Sequence, residues 1–148
     1  MQKQYSIIVN APISKAFSSI SEQRNINRHM DGKIRTEFKN SHDFSDPVGS
    51  KFHQDIAGMI ELDGEIIAYN KPLQLGIGIQ VSGLTGTIFY ELEHLDDSRT
   101  NLVFNLEIFD GNPAKKILLA AVYPLFESTI HTYLKNLKKL AEEDTVQA

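Results

Sequence analysis

The sequence predicts an α+β domain, in which a curved antiparallel sheet of about seven strands wraps around one long C-terminal helix, with two short helices between strands 1 and 2. Two observations carry this. From Ile34 to Ile108, apolar and polar residues alternate in short runs broken by turn residues, the period-two signature of strands. From Pro113 onward the apolar residues recur at three- and four-residue spacing with no turn signal, the signature of a helix.

Tyr5 to Val9 is short and rich in β-branched residues, which predicts the first strand. It stops at Asn10-Ala11-Pro12, and proline suits a helix start because its missing donor has no partner there. Ile13, Ala16, Phe17 and Ile20 then fall at helical spacing, and Ser21 is placed to cap a second short helix ending near Arg28. Asp46 to Ser50 reads as a turn, and Ala57-Gly58 as a hairpin closure. Gly64 to Asn70 reads as a strand stopped by Lys71-Pro72.

Leu73, Leu75, Ile77, Ile79 and Val81 alternate with polar residues and glycine, which predicts a half-buried strand. Gly83 to Gly86 is expected to turn the chain. Ile88, Tyr90 and Leu92 line one side of the next strand, and Leu102, Phe104, Leu106 and Ile108 one side of the last, beyond a hairpin tip at Asp96–Arg99. Asn112 is a good N-cap and Pro113 a good first helical residue. On the helical wheel Leu118, Ala121, Val122, Leu125, Phe126, Thr129, Tyr133, Leu137 and Leu140 gather on one broad face. Pro124 removes one backbone bond and is expected to kink the helix near Ala120.

The 148 residues, with no linker or repeat, read as a single domain over 1–148. Hydrophobic residues make up 41% and charged residues 23%, a globular balance rather than a disordered one. With no cysteine there is no disulfide, thiolate zinc site or cysteine nucleophile, which fits a reducing cytoplasm. A net charge of −4 gives no electrostatic footprint for nucleic acid. The longest apolar run, Ile117 to Phe126, is about half of a membrane span. The expected protein is therefore cytoplasmic, without a membrane span, nucleic-acid partner, metal or cofactor. The five histidines form no metal-binding spacing.

Asn10-Ala11-Pro12-Ile13-Ser14-Lys15-Ala16-Phe17 resembles the strand-to-helix opening of the START-like, or SRPBCC, superfamily. Val48-Gly49-Ser50, the stretch Gly64 to Leu75 with its Pro72-Leu73-Gln74-Leu75, and the closing Leu137-Lys138-Lys139-Leu140-Ala141-Glu142 resemble three further motifs of that superfamily, in order. The likeness runs from Tyr5 to Glu142. The chain departs from it in having His29-Met30 where many bacterial members carry a tryptophan, and in lacking the glycine-rich loop of the plant branch. It is most similar to the bacterial polyketide-cyclase-like and chaperone-ATPase-activator-like branches. The resemblance implies a helix-grip fold and the binding of a hydrophobic or lipid-like ligand, and carries no catalytic residue across.

A curved sheet cannot close fully on a helix lying in its concave side, so a pocket is expected between them. The predicted walls are Leu75, Ile77, Ile79, Ile88, Tyr90, Leu92, Leu102, Phe104 and Leu106 on the sheet, with Ala121, Leu125, Thr129 and Tyr133 on the helix. The competing expectation is that these side chains form a solid core. Candidate polar contacts are His53, Tyr90 and Tyr123, because buried hydroxyls need partners. His53 and Asp55 share one strand face and Glu61 and Asp63 another, a spacing suited either to acid–base work or to a solvated hairpin. The functions expected are binding of a small hydrophobic or aromatic molecule, a polyketide cyclase- or hydratase-like enzyme, or a chaperone-associated interaction module. Free edge strands leave room for a homodimer.

Overall fold

The computed structural model describes residues 1–21, 34–39, 47–56, 58, 60–81, 83–109 and 113–143. Strand β1 (Gln2–Val9) is followed by helix α1 (Ile13–Ser21), then by β2 (Ile34–Phe38), β3 (Lys51–Ile56), β4 (Ile60–Asn70), β5 (Gln74–Val81), β6 (Leu84–Asp96) and β7 (Arg99–Ile108). The chain ends in helix α2 (Pro113–Ala141), which contains Pro124. The second short helix expected over Ser21–Arg28 and the cap expected at Asn112 lie outside the described residues.

All seven strands form one antiparallel sheet in the order β1-β7-β6-β5-β4-β3-β2. The strands from β2 to β7 are a meander, as the short turns predict. Gly83, at φ 77°, occupies the left-handed region that glycine tolerates, so the β5–β6 turn is tighter than expected and Leu84 to Gly86 already belong to β6.

Register sorts the inward side chains into rows that cross the sheet. Val9 and Thr100 face one another in the first row. Ile7, Leu102 and Leu92 form the second. Tyr5, Phe104, Tyr90, Leu75 and Tyr69 form the third. Leu106, Ile88, Ile77 and Ile66 form the fourth, and Ile108, Gly86, Ile79, Gly64, Phe52 and Phe38 the fifth. Leu84, Val81, Leu62, Gln54 and Thr36 complete the sixth. A register shift in β4 between Ile66 and Ala68 brings both Ile66 and Tyr69 to the concave side, where strict alternation would turn one away.

The two ends of this trough differ. Over the first two rows α1 places Ala16, Phe17 and Ile20, and α2 places Leu134, Leu137 and Ala141, all buried with Val9, Leu92 and Leu102. Polar ties hold this closed end. The Lys138 ammonium donates to the Ile8 carbonyl at 2.9 Å and pairs with Glu142, whose carboxylate accepts from the Asn10 amide at 2.7 Å. Lys138, near the end of α2, thus ties the helix to β1.

Candidate ligand-binding site

Beyond the second row the helix and sheet separate and leave a cavity of about 170 Å³. Leu75, Ile77, Ile79, Ile88, Tyr90, Phe104 and Leu106 line it from the sheet, and Thr129 and Tyr133 from α2. Leu92 and Leu102 do not. They lie one row deeper, within the solid end, and Leu102 is 1% exposed. Rows three to six are wall, while rows one and two are core.

Two helix positions need correction. Ala121 and Leu125 point outward, and Leu125 is 65% exposed. Residues four apart drift about 40° around a helix at each step. Following that row back from Leu137 carries Ala121 about 160° away, to the opposite side. The inward stripe instead follows Tyr123, Ile130, Leu134, Leu137 and Ala141, with Tyr133 beside it, at spacings that return to one face.

Strands β2 to β4 supply walls the sequence reading passed over. Phe38, Phe52, Leu62, Ile66 and Tyr69 all line the cavity, as do Thr36 and Gln54 in the outermost of the rows described. The signal was present in the alternation of Phe52 and Gln54 with charged neighbours. Gln54 donates to the Thr36 hydroxyl at 3.1 Å, which ties β3 to β2 at this row.

His53 also needs correction as a polar contact. Its neighbours Phe52 and Gln54 face inward, so period-two alternation turns the imidazole to the convex side. There its Nδ1 lies 3.0 Å from Asp63, and Lys39 meets the same carboxylate at 2.9 Å. The Lys39 bond first, and then that of His53, hold the Asp63 carboxyl below its ordinary value. This is a solvated charge cluster, not part of the cavity.

Two groups of phenols stand between sheet and helix. On the third row the hydroxyls of Tyr90 and Tyr133 lie 2.8 Å apart, and the Phe104 ring stands edge-on to Tyr90 at 5.4 Å. Burial pushes the Tyr90 hydroxyl well above the ordinary phenol value, and the Tyr133 hydroxyl up to about 12. At the other side of Phe104, Tyr5 bonds both the Tyr123 hydroxyl and, at 3.0 Å, the Glu127 carboxylate. A carboxylate only accepts, and Tyr5 has one proton. Tyr5 therefore donates to Glu127, and Tyr123 donates to Tyr5. Lys3 lies 5.2 Å over the Tyr123 ring, a cation–π contact. This chain latches β1 to α2 beside the cavity, which Tyr123 also lines. Burial, first of all, raises both phenols.

No family model matches the sequence, and no curated protein matches it. Solved structures match its fold. Truncated norcoclaurine synthase from Thalictrum flavum superimposes with a TM-score of 0.75 at 11% identity, over 98% of this chain and 95% of that one. A conserved protein from Geobacillus kaustophilus gives 0.74 at 12% identity, over 95% of each chain. DynU16, a protein of the dynemicin biosynthetic locus, gives 0.71 at 10% identity over 95% of this chain and 47% of that one, so this chain spans about half of DynU16. At such identities the likeness is one of fold: α+β, helix-grip.

Proposed function

We propose that this chain binds a small hydrophobic or aromatic molecule in the cavity between its sheet and its C-terminal helix. The observation that carries the reading is the change from solid core to open space at the third row. Tight packing is the rule in protein interiors, and a well-packed core leaves few voids larger than a water molecule. Here about 170 Å³ is walled by aliphatic and aromatic carbon, with phenols, Thr36, Thr129 and Gln54 among its polar groups. Apolar cavities of roughly 150 Å³ take up a benzene-sized guest.

Binding is favoured over turnover by the electrostatics. Among the described residues none that lines the cavity is Asp, Glu, His, Lys or Arg, and the two central phenols are held protonated across the physiological range. A general acid or base is tuned toward neutrality, not away from it. Norcoclaurine synthase shares the fold and is named for a reaction, but fold does not carry function.

Native mass spectrometry of protein purified from cells, followed by calorimetric melting with and without naphthalene, tests the reading. We expect bound mass or a melting temperature raised by naphthalene. The variant Ile88→Phe, which fills the fourth row, is expected to lose both. A wild-type protein with no bound mass and no response to naphthalene overturns the reading.

A further inference from the structure

We infer that the ligand is an uncharged, flat molecule of one or two rings, and that a hydroxyl or carbonyl oxygen at its inner end meets the Tyr90–Tyr133 pair. This inference rests on the binding reading above and narrows it to a chemical class.

The size follows from the volume. About 170 Å³ is slightly more than the roughly 150 Å³ that accommodates benzene, so one ring fits with space and two fused rings fill the site. Flatness follows from the walls, since Phe38, Phe52, Tyr69, Tyr90 and Phe104 present ring faces and edges that pack against another ring.

The absence of charge follows from the lining. A carboxylate or ammonium taken out of water needs an opposite charge or several hydrogen bonds. The cationic group among the lining residues, the amino terminus of Met1, donates to the Ile108 carbonyl at 2.7 Å, in the fifth row and at the edge of the sheet. Among the described residues nothing at the floor neutralises an acid, which disfavours fatty acids.

The oxygen follows from the position and chemistry of the pair. Tyr90 and Tyr133 meet on the innermost row of the cavity, where the trough becomes solid. Their mutual bond uses one of their two hydroxyl protons, and either oxygen can be the donor in it. By exchanging those roles the pair donates to a carbonyl or accepts from a hydroxyl. The Thr36–Gln54 pair lies three rows further out, about 20 Å along the strands, beyond the reach of a small ligand seated at the inner end.

The discrimination should be moderate. In the empty cavity the two hydroxyls satisfy each other, so a purely apolar guest leaves no orphaned polar group. A single added hydrogen bond then yields a preference of about tenfold.

Isothermal titration calorimetry with naphthalene, 2-naphthol and 2-naphthoate tests this, using the full chain and the double variant Tyr90→Phe/Tyr133→Phe, with circular dichroism confirming that the variant is folded. We expect wild type to bind 2-naphthol about tenfold more tightly than naphthalene and to show no detectable heat with 2-naphthoate. In the double variant, which removes both hydroxyls, the naphthol-to-naphthalene ratio should fall to about one. Equal wild-type affinities for naphthol and naphthalene overturn the inference but leave the binding reading standing. So does tighter binding of the naphthoate, or a preference that survives in the double variant. Failure of all three probes to bind overturns both.

Discussion

Gly86 and Gly78 show what a single methyl group means on two sides of one sheet. A Cβ at Gly86 would lie 2.3 Å from the Glu107 carbonyl oxygen and 2.7 Å from Ile108, whereas at Gly78 the nearest atom is Ile67 Cγ2 at 3.6 Å, an ordinary contact. Gly86→Ala is expected to cost about 1–3 kcal/mol through overpacking against backbone that cannot give. Gly78→Ala should be close to neutral; urea denaturation midpoints measure both. The phenols make a second residue-scale prediction, this time in pH. Burial raises Tyr133 to about 12 in the folded state, and Tyr90 is raised too. Unfolded phenols ionise near pH 10. Below pH 10 both states hold the proton and the contribution of these groups to stability is full. Between pH 10 and about 12 the unfolded chain loses protons that the folded chain keeps, so stability falls as pH rises. Phenolate absorbance should therefore climb steeply only with unfolding, and a Tyr133→Phe chain should show a shallower decline in stability over that window. Equal alkaline slopes in the two proteins would refute the assignment.

At the scale of the element, α2 is where sequence and structure part. The length of the helix, its start at Pro113 and its amphipathic character were all legible. The inward stripe was not, because Ala121, Leu125 and Thr129 are apolar or small and lie on a four-residue row that looks continuous on paper while winding around the cylinder. Leu137→Ala, at a site with 0% exposure, is expected to cost about 2–5 kcal/mol, and Leu125→Ser less than about 0.5 kcal/mol. Thermal or urea unfolding of the two variants checks the assignment of the face. The strands were more transparent, since period-two alternation leaves one choice of inner side, and Leu75, Ile77, Ile79, Ile88, Phe104 and Leu106 all face the helix. What alternation cannot convey is depth along the strand. Leu92 and Phe104 carry the same pattern, yet one meets α1 and packs solidly while the other meets open space. That distinction is made by elements far away in sequence.

For the whole molecule, the cavity sets a linkage between occupancy and stability. Space that holds no atoms forfeits dispersion contacts on its lining, so any guest that fills it stabilises the folded chain by mass action. Melting temperature should rise with the logarithm of guest concentration once the site is saturated, and a melting temperature that levels off in scanning calorimetry would contradict this. The order of the strands has a further outcome, in time rather than in energy. Six of the seven form by successive neighbouring hairpins, but β1 must wait: Gln2 pairs with Glu107 and Val9 with Thr100. Contacts of such sequence separation are costly to nucleate and slow to form. Pulsed hydrogen exchange during refolding should find the β5 and β6 amides protected before those of β1. In synthesis, then, β1 leaves the ribosome well before the strand it pairs with. Tyr5 can reach Tyr123, and Met1 can close its side of the chamber, only once β7 and α2 have been made.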